Sequence, residues 1–101
     1  MSEFSEPDVL HSLEMEMAAL GSMFASADAA KALKKILEPR DFWRSSHREI
    51  FSVITSLKSR PDRLIVLDKL RRSESLEKIG GEEYLDQIIA FMPFNHPYTP
   101  G

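Results

Sequence analysis

The sequence contains no cysteine, which excludes disulfides, thiolate chemistry and any cysteine-based zinc site. It has only 4 glycines, and none precedes a Lys-Ser or Lys-Thr pair at the spacing of a phosphate-binding loop. No apolar run approaches the roughly 20 residues that a membrane-spanning helix needs. These absences predict a cytoplasmic chain that has no membrane segment, no ATP-hydrolysing loop and no cofactor.

The sequence also lacks an excess of positive charge, because its formal net charge is −3. Affinity for nucleic-acid backbones comes mostly from Lys and Arg, so little direct DNA binding is expected. Six basic residues nevertheless crowd into one part of the chain: Lys58, Arg60, Arg63, Lys69, Arg71 and Arg72. They are either a solvated helix face or a candidate docking surface for an acidic partner or a nucleic-acid strand.

Apolar residues recur at helical spacing, and no alternating strand pattern occurs. The sequence therefore predicts an all-α fold, a small bundle of about five to six helices. Ser12 is the expected cap of the first helix, whose buried stripe comprises Leu13, Met17, Leu20 and Phe24. Gly21 inside that helix predicts a close approach by a neighbouring helix.

Polar residues mark the starts of the later helices. Asp28 is the predicted cap of a second helix that buries Leu33 and Ile36. Ser45 or Ser46 is expected to cap a third helix. The start of the fourth helix is expected to be shifted, frayed or capped by Asp62. Other carboxylates, such as the pair Glu14 and Glu16 or the pair Glu82 and Glu83, are interpreted as helix-dipole and solubility features rather than acid–base pairs. No constellation of residues supports catalysis, so the chain is not expected to be an enzyme by itself.

The stretch from Pro39 to Phe51 is the most informative part of the sequence. A tight turn there is expected to bury both Phe42 and Trp43. His47 would then pack beneath Trp43 or bond a backbone carbonyl, and Ile50 and Phe51 would face the core. An exposed base-stacking platform of aromatics is the less favoured alternative, because the aromatics adjoin apolar helix positions.

Glycine and proline divide the end of the sequence. Gly80 and Gly81 predict a left-handed helix stop, followed by a last helix that buries Tyr84 and Leu85. The expected organisation is a flexible N-terminus over 1–10, a helical domain over 11–93 and a proline-rich tail or linker start over 94–101. Phe94 and Tyr98 in that tail indicate a contact patch or a truncated element.

Four collinear motifs resemble the N-terminal domain of the bacterial replicative DNA helicase, the DnaB family. The Asp-Phe-Trp turn followed by His47, Arg48, Ile50 and Phe51 resembles D-F-Y-x-x-x-H-R-x-I-F. Ile79-Gly80-Gly81 with Tyr84 resembles I-G-G-x-x-Y-L, and shorter matches lie near His11 and around Gly21. The segment 58–67 departs from the family pattern by being about a residue shorter.

The resemblance implies a domain that performs no chemistry itself. In this family the domain forms a collar on a hexameric ring, mediates contacts between helicase subunits and helps to recruit the primase C-terminal domain, with the helicase loader as a further possible partner. ATP hydrolysis would belong to a separate C-terminal domain. A free-standing regulator or adaptor of phage or mobile-element origin, competing for helicase or primase, is the alternative hypothesis.

Overall fold

Six α-helices and one 3₁₀ turn form the part of the chain that the computed structural model describes, residues 12–91. The 3₁₀ turn, Pro39–Asp41, precedes the third helix. The helices are α1 (Leu13–Ala25), α2 (Ala27–Ile36), α3 (Ser45–Ser56), α4 (Arg63–Arg72), α5 (Leu76–Ile79) and α6 (Gly81–Ala90). No strand occurs within residues 12–91, and the predicted all-α class is confirmed.

A single residue, Ser26, separates α1 from α2. Its extended backbone ends α1, and its hydroxyl accepts a hydrogen bond from the Ala29 N–H at 3.1 Å. Ser12 caps α1 in the same way through the Met15 N–H, as predicted. The predicted cap at Asp28 is wrong: Asp28 lies inside the first turn, where its charge suits the helix dipole.

Later helix starts agree with the predictions only in part. The Asp62 carboxylate accepts from the Leu64 N–H at 3.1 Å and caps α4, which is one of the three alternatives that the sequence left open. The start of α3 has no side-chain cap, because Arg44 occupies the N-cap position. The predicted cap at Ser45 or Ser46 is therefore wrong, since both serines already lie in the helix.

One apolar cluster joins all six helices to the segment before α3. Phe42 and Phe51 lie at its centre with ring centroids 4.9 Å apart, and Ile50 beside them is fully buried, as predicted. Ile36 is 62% exposed, because α2 ends there and the chain turns Leu37 inward instead. Leu13, at the first position of α1, is also exposed, so the predicted stripe is buried only from its middle onward.

Glycines set the position of α6. Gly80 and Gly81 have φ angles of +113° and +83°, which confirms the predicted left-handed stop between α5 and α6. Gly21 lets α1 approach the other end of α6, because a Cβ there would lie 2.7 Å from the Ile88 carbonyl oxygen. This contact confirms the close approach predicted from the sequence.

Candidate functional site

Three polar side chains from three different helices meet beneath the surface. The Nδ1 atom of His47 in α3 lies 2.7 Å from Oε1 of Glu16 in α1. The Nε2 atom of His47 lies 2.6 Å from the Tyr84 hydroxyl in α6. His47 is fully buried and Glu16 nearly so, while Tyr84 is partly exposed. This Glu16–His47–Tyr84 network therefore ties α1, α3 and α6 together through side chains.

The network is satisfied when His47 is neutral. Its Nδ1–H then donates to the ionised Glu16 carboxylate, and its Nε2 accepts from the Tyr84 O–H. Burial lowers the pKa of His47 below its ordinary value of 6.5, and this effect outweighs the opposing hydrogen bond and charge of Glu16. The Arg44 guanidinium, which lies 5.7 Å from the centre of the Tyr84 ring, also lowers this pKa.

The Glu16 carboxylate also accepts hydrogen bonds from the backbone that precedes α3. It accepts from the Trp43 N–H at 2.6 Å and from the Arg44 N–H at 3.3 Å. On the other side of the same segment, the Arg48 guanidinium donates to the carbonyl oxygens of Phe42 at 2.8 Å and Trp43 at 2.9 Å. Four hydrogen bonds from two side chains thus fix the loop between the 3₁₀ turn and α3.

Trp43 stands on this fixed loop and is 78% exposed. The prediction that Trp43 enters the core is wrong, since Phe42 takes the inward position and the next side chain along extended backbone points away. The predicted partners of His47 are also wrong: its ring nitrogens bond the side chains of Glu16 and Tyr84, and the ring stacked on it is that of Tyr84.

The basic residues that the sequence groups together are divided by the fold. Arg63 pairs with Asp86 at 2.6 Å and with Glu82 at 3.2 Å. The hydrogen bond from Arg63, with its charge, lowers the pKa of the Asp86 carboxyl. Arg71 also pairs with Glu82, and Arg72 pairs with Asp68 at 2.8 Å. These arginines are thus neutralised by carboxylates of the same domain.

The remaining members of the group lie in two other places. Lys69, together with Arg72, lines a shallow groove between α3 and α4. Lys58 and Arg60 line a separate cleft of about 350 Å³ beside α2. The other two predicted surface residues, Phe94 and Tyr98, lie outside the described residues.

No helix in residues 12–91 has the length and apolar character needed to cross a membrane. The polar side chains at the centre of the fold hold helices and a loop in place. The fold and its buried network thus define a small helical domain in which polar side chains join α1, α3 and α6.

Comparison with known proteins identifies the family of this domain. The family model of the DnaB-like helicase N-terminal domain matches residues 8–98 of this chain. The replicative DNA helicase DnaB of Geobacillus stearothermophilus is 38% identical over 97 residues, which is 92% of this chain and 21% of that protein. The replicative DNA helicase DnaC of Bacillus subtilis is 33% identical over 84 residues, 80% of this chain and 18% of that protein.

A solved structure agrees with this result. The N-terminal domain of DnaB helicase from Mycobacterium tuberculosis superimposes with a TM-score of 0.76 at 33% identity, covering 81% of this chain and 62% of that one. The chain belongs to the DnaB-like helicase N-terminal domain family. It spans about one fifth of the length of the curated helicases that it matches.

Proposed function

We propose that this domain is the non-catalytic N-terminal collar of a replicative DNA helicase, where it mediates contacts between subunits and recruits primase and the helicase loader. Its family membership and its relatives, which are replicative DNA helicases, support this role. ATP-driven unwinding would reside in the remainder of a longer parent protein. The domain would work in the cytoplasm, where bacterial chromosomes are replicated.

The observation that carries the proposal is the exposed Trp43 on a fixed loop. Tryptophan is enriched among the residues that dominate protein–protein binding, because it offers a large contact area with few rotatable bonds. Hydrogen bonds from Glu16 and Arg48 hold the backbone beneath the indole, so a partner does not have to order this loop on binding. Trp43 is therefore the contact anchor that the structure supports best.

Two measurements test the role of the domain. Light scattering after size-exclusion chromatography, over a range of protein concentrations, measures self-association. Calorimetric titration with the primase C-terminal domain and with the helicase ring from the same genome measures contacts with primase and with helicase subunits. We expect at least one complex with a Kd in the micromolar range or tighter. A monomer with no measurable affinity for primase or ring would overturn the proposal.

A matched pair of substitutions tests the anchor. Trp43→Ala removes the exposed indole, and we expect the affinity of the complex to fall by about tenfold or more. Ile36→Ala, at a second exposed apolar position, is the control and should change affinity by less than about twofold. Equal effects from both variants would remove Trp43 from the interface while leaving the collar role itself standing.

A further inference from the structure

A cleft between α2 and the segment that follows α3 collects positive charge. Three lysines of α2 line one wall, and Lys58 and Arg60 line the other. The α2 residues are Lys31, Lys34 and Lys35. The sequence placed Lys58 and Arg60 with the arginines of α4, whereas the fold separates them from those arginines and joins them to the lysines of α2.

Among the residues that the structure describes, no carboxylate lines this cleft. Within residues 12–91, none of its five cations forms an ion pair, whereas Arg63, Arg71 and Arg72 of α4 are all paired with acids. The formal net charge of the whole chain is −3, so this cleft is positively charged in a chain that is negative overall. A surface that gathers unneutralised charge of one sign attracts ligands of the other sign.

Two of the cations fix the shape of the cleft. Lys34 Nζ donates to the Leu57 carbonyl oxygen at 2.9 Å, across from α2 to the end of α3. The Arg60 guanidinium donates to the Phe24 carbonyl oxygen in the last turn of α1 at 3.1 Å. Lys31, Lys35 and Lys58 are exposed at the rim, where their ammonium groups can reach a ligand.

The residues that line the cleft indicate which kind of anion it can bind. The α2 wall between the lysines carries the small side chains of Ala27 and Ala30, and no aromatic residue within 12–91 lines the cleft. A protein segment would find no pocket for the large apolar anchor that usually dominates protein–protein affinity, and bases would find no stacking platform. Contacts to phosphates need neither feature, because they depend on charge alone.

We propose that this cationic cleft binds the sugar-phosphate backbone of single-stranded DNA without reading its bases. Lys31 and Lys35 lie one helical turn apart, about 6 Å along the axis, so they can meet successive charges of an extended strand. The relatives of this domain are replicative DNA helicases, which makes DNA the polyanion to test first. This activity goes beyond the contacts between proteins proposed above, and it revises the expectation of little direct DNA binding.

Fluorescence anisotropy with a fluorescein-labelled oligothymidylate of about 20 nucleotides, a length that exceeds a typical single-strand site, tests the proposal on the whole chain. We expect a Kd of about 1–100 μM at physiological salt, as for non-specific binding, and tighter binding at low salt. The logarithm of the binding constant should fall linearly with the logarithm of salt concentration, with a slope of about −0.7 for each phosphate contacted. Absence of binding at low salt would overturn the proposal.

Paired charge removals locate the site. Lys31→Gln with Lys58→Gln removes one cation from each wall of the cleft, and both residues are exposed and make no described hydrogen bond. We expect binding to weaken by at least about tenfold at low salt and the salt slope to become shallower by about 1.4 units. Lys69→Gln with Lys78→Gln removes the same charge elsewhere and should weaken binding by less than about threefold.

Two outcomes would count against the cleft. Equal losses of affinity in the two double variants would mean that the oligonucleotide responds to the charge of the whole surface and not to the cleft. A poly-glutamate peptide of matched charge that binds more tightly than the oligonucleotide would assign the cleft to an acidic protein segment. Neither outcome would affect the association measurements of the collar role, so the two proposals can fail separately.

Discussion

The Tyr84 hydroxyl lies 2.6 Å from His47 Nε2, and the two rings are nearly parallel, with an angle of 8° between their planes. The opposite nitrogen of the same imidazole bonds Glu16, so His47 links α6 to α1 through α3. Buried polar groups are costly when one partner is lost, because the remaining donor or acceptor is left without a hydrogen bond.

Removing a single partner from the network should destabilise the domain. Tyr84→Phe leaves His47 Nε2 without a donor and should lower the free energy of unfolding by about 1 kcal/mol. Glu16→Gln should cost more, about 2–3 kcal/mol, because an amide nitrogen would face N–H donors where a carboxylate oxygen now accepts. Urea denaturation followed by circular dichroism measures both changes, with Glu77→Gln on the exposed face of α5 as control. A Glu16→Gln cost no larger than that of the control would contradict the assigned network.

The lowered pKa of His47 makes stability depend on pH in a defined direction. Below the unfolded value of about 6.5 the unfolded chain binds a proton at this position that the folded chain does not, so stability falls as pH falls. The loss begins near pH 6.5, continues down to the folded pKa and cannot exceed about 1.4 kcal/mol per pH unit for one proton. Above pH 7 this residue contributes no pH dependence.

Urea midpoints between pH 5 and pH 7.5 measure this effect. His47→Gln, which keeps hydrogen-bonding capacity but cannot titrate, should flatten the profile over the same interval. A profile of the same steepness in this variant would assign the effect to other groups.

Gly21→Ala should destabilise the domain even though alanine is the better helix former by about 1 kcal/mol. The added Cβ would lie 2.7 Å from the Ile88 carbonyl oxygen and 3.1 Å from that of Phe91, so α6 would have to move away from α1. Overpacking of this kind costs about 1–3 kcal/mol. Thermal unfolding should show a lower Tm for Gly21→Ala, whereas Ser22→Ala, one position along the same helix, should leave it nearly unchanged. A Tm equal to or above that of the parent would show that the two helices do not require this glycine.

The fold could be predicted from the sequence where a local rule decides the structure. Helical periodicity placed Leu20, Ile50 and Phe51 in the core. A glycine pair with positive φ angles marked the stop between α5 and α6. Such features depend on neighbours within a few positions, so a single sequence contains the information.

The site could not be predicted in the same way, because its contacts join distant parts of the chain. Glu16 and His47 are separated by 31 positions, and His47 and Tyr84 by 37. In the sequence, Glu16 has the features of an ordinary carboxylate in the first turn of a helix. The one sign of a different role is its position directly before Met17, which belongs to the apolar stripe of α1. The prediction that Trp43 is buried was wrong because aromatic residues beside a core are usually buried, whereas at this turn only Phe42 points into the core.

Ser26 is the single residue between α1 and α2, and it caps the end of one helix and the start of the other. One residue with φ −143° and ψ 126° serves both helix ends, so the direction of α2 is set by a single pair of torsion angles. An inserted residue that extended α2 at this corner would turn the helix by about 100° about its axis. Ala30 would then leave the core, and the lysines of α2 would leave the cleft. The length of this corner, more than the identity of any one lysine, therefore keeps the buried face and the charged face of α2 in register.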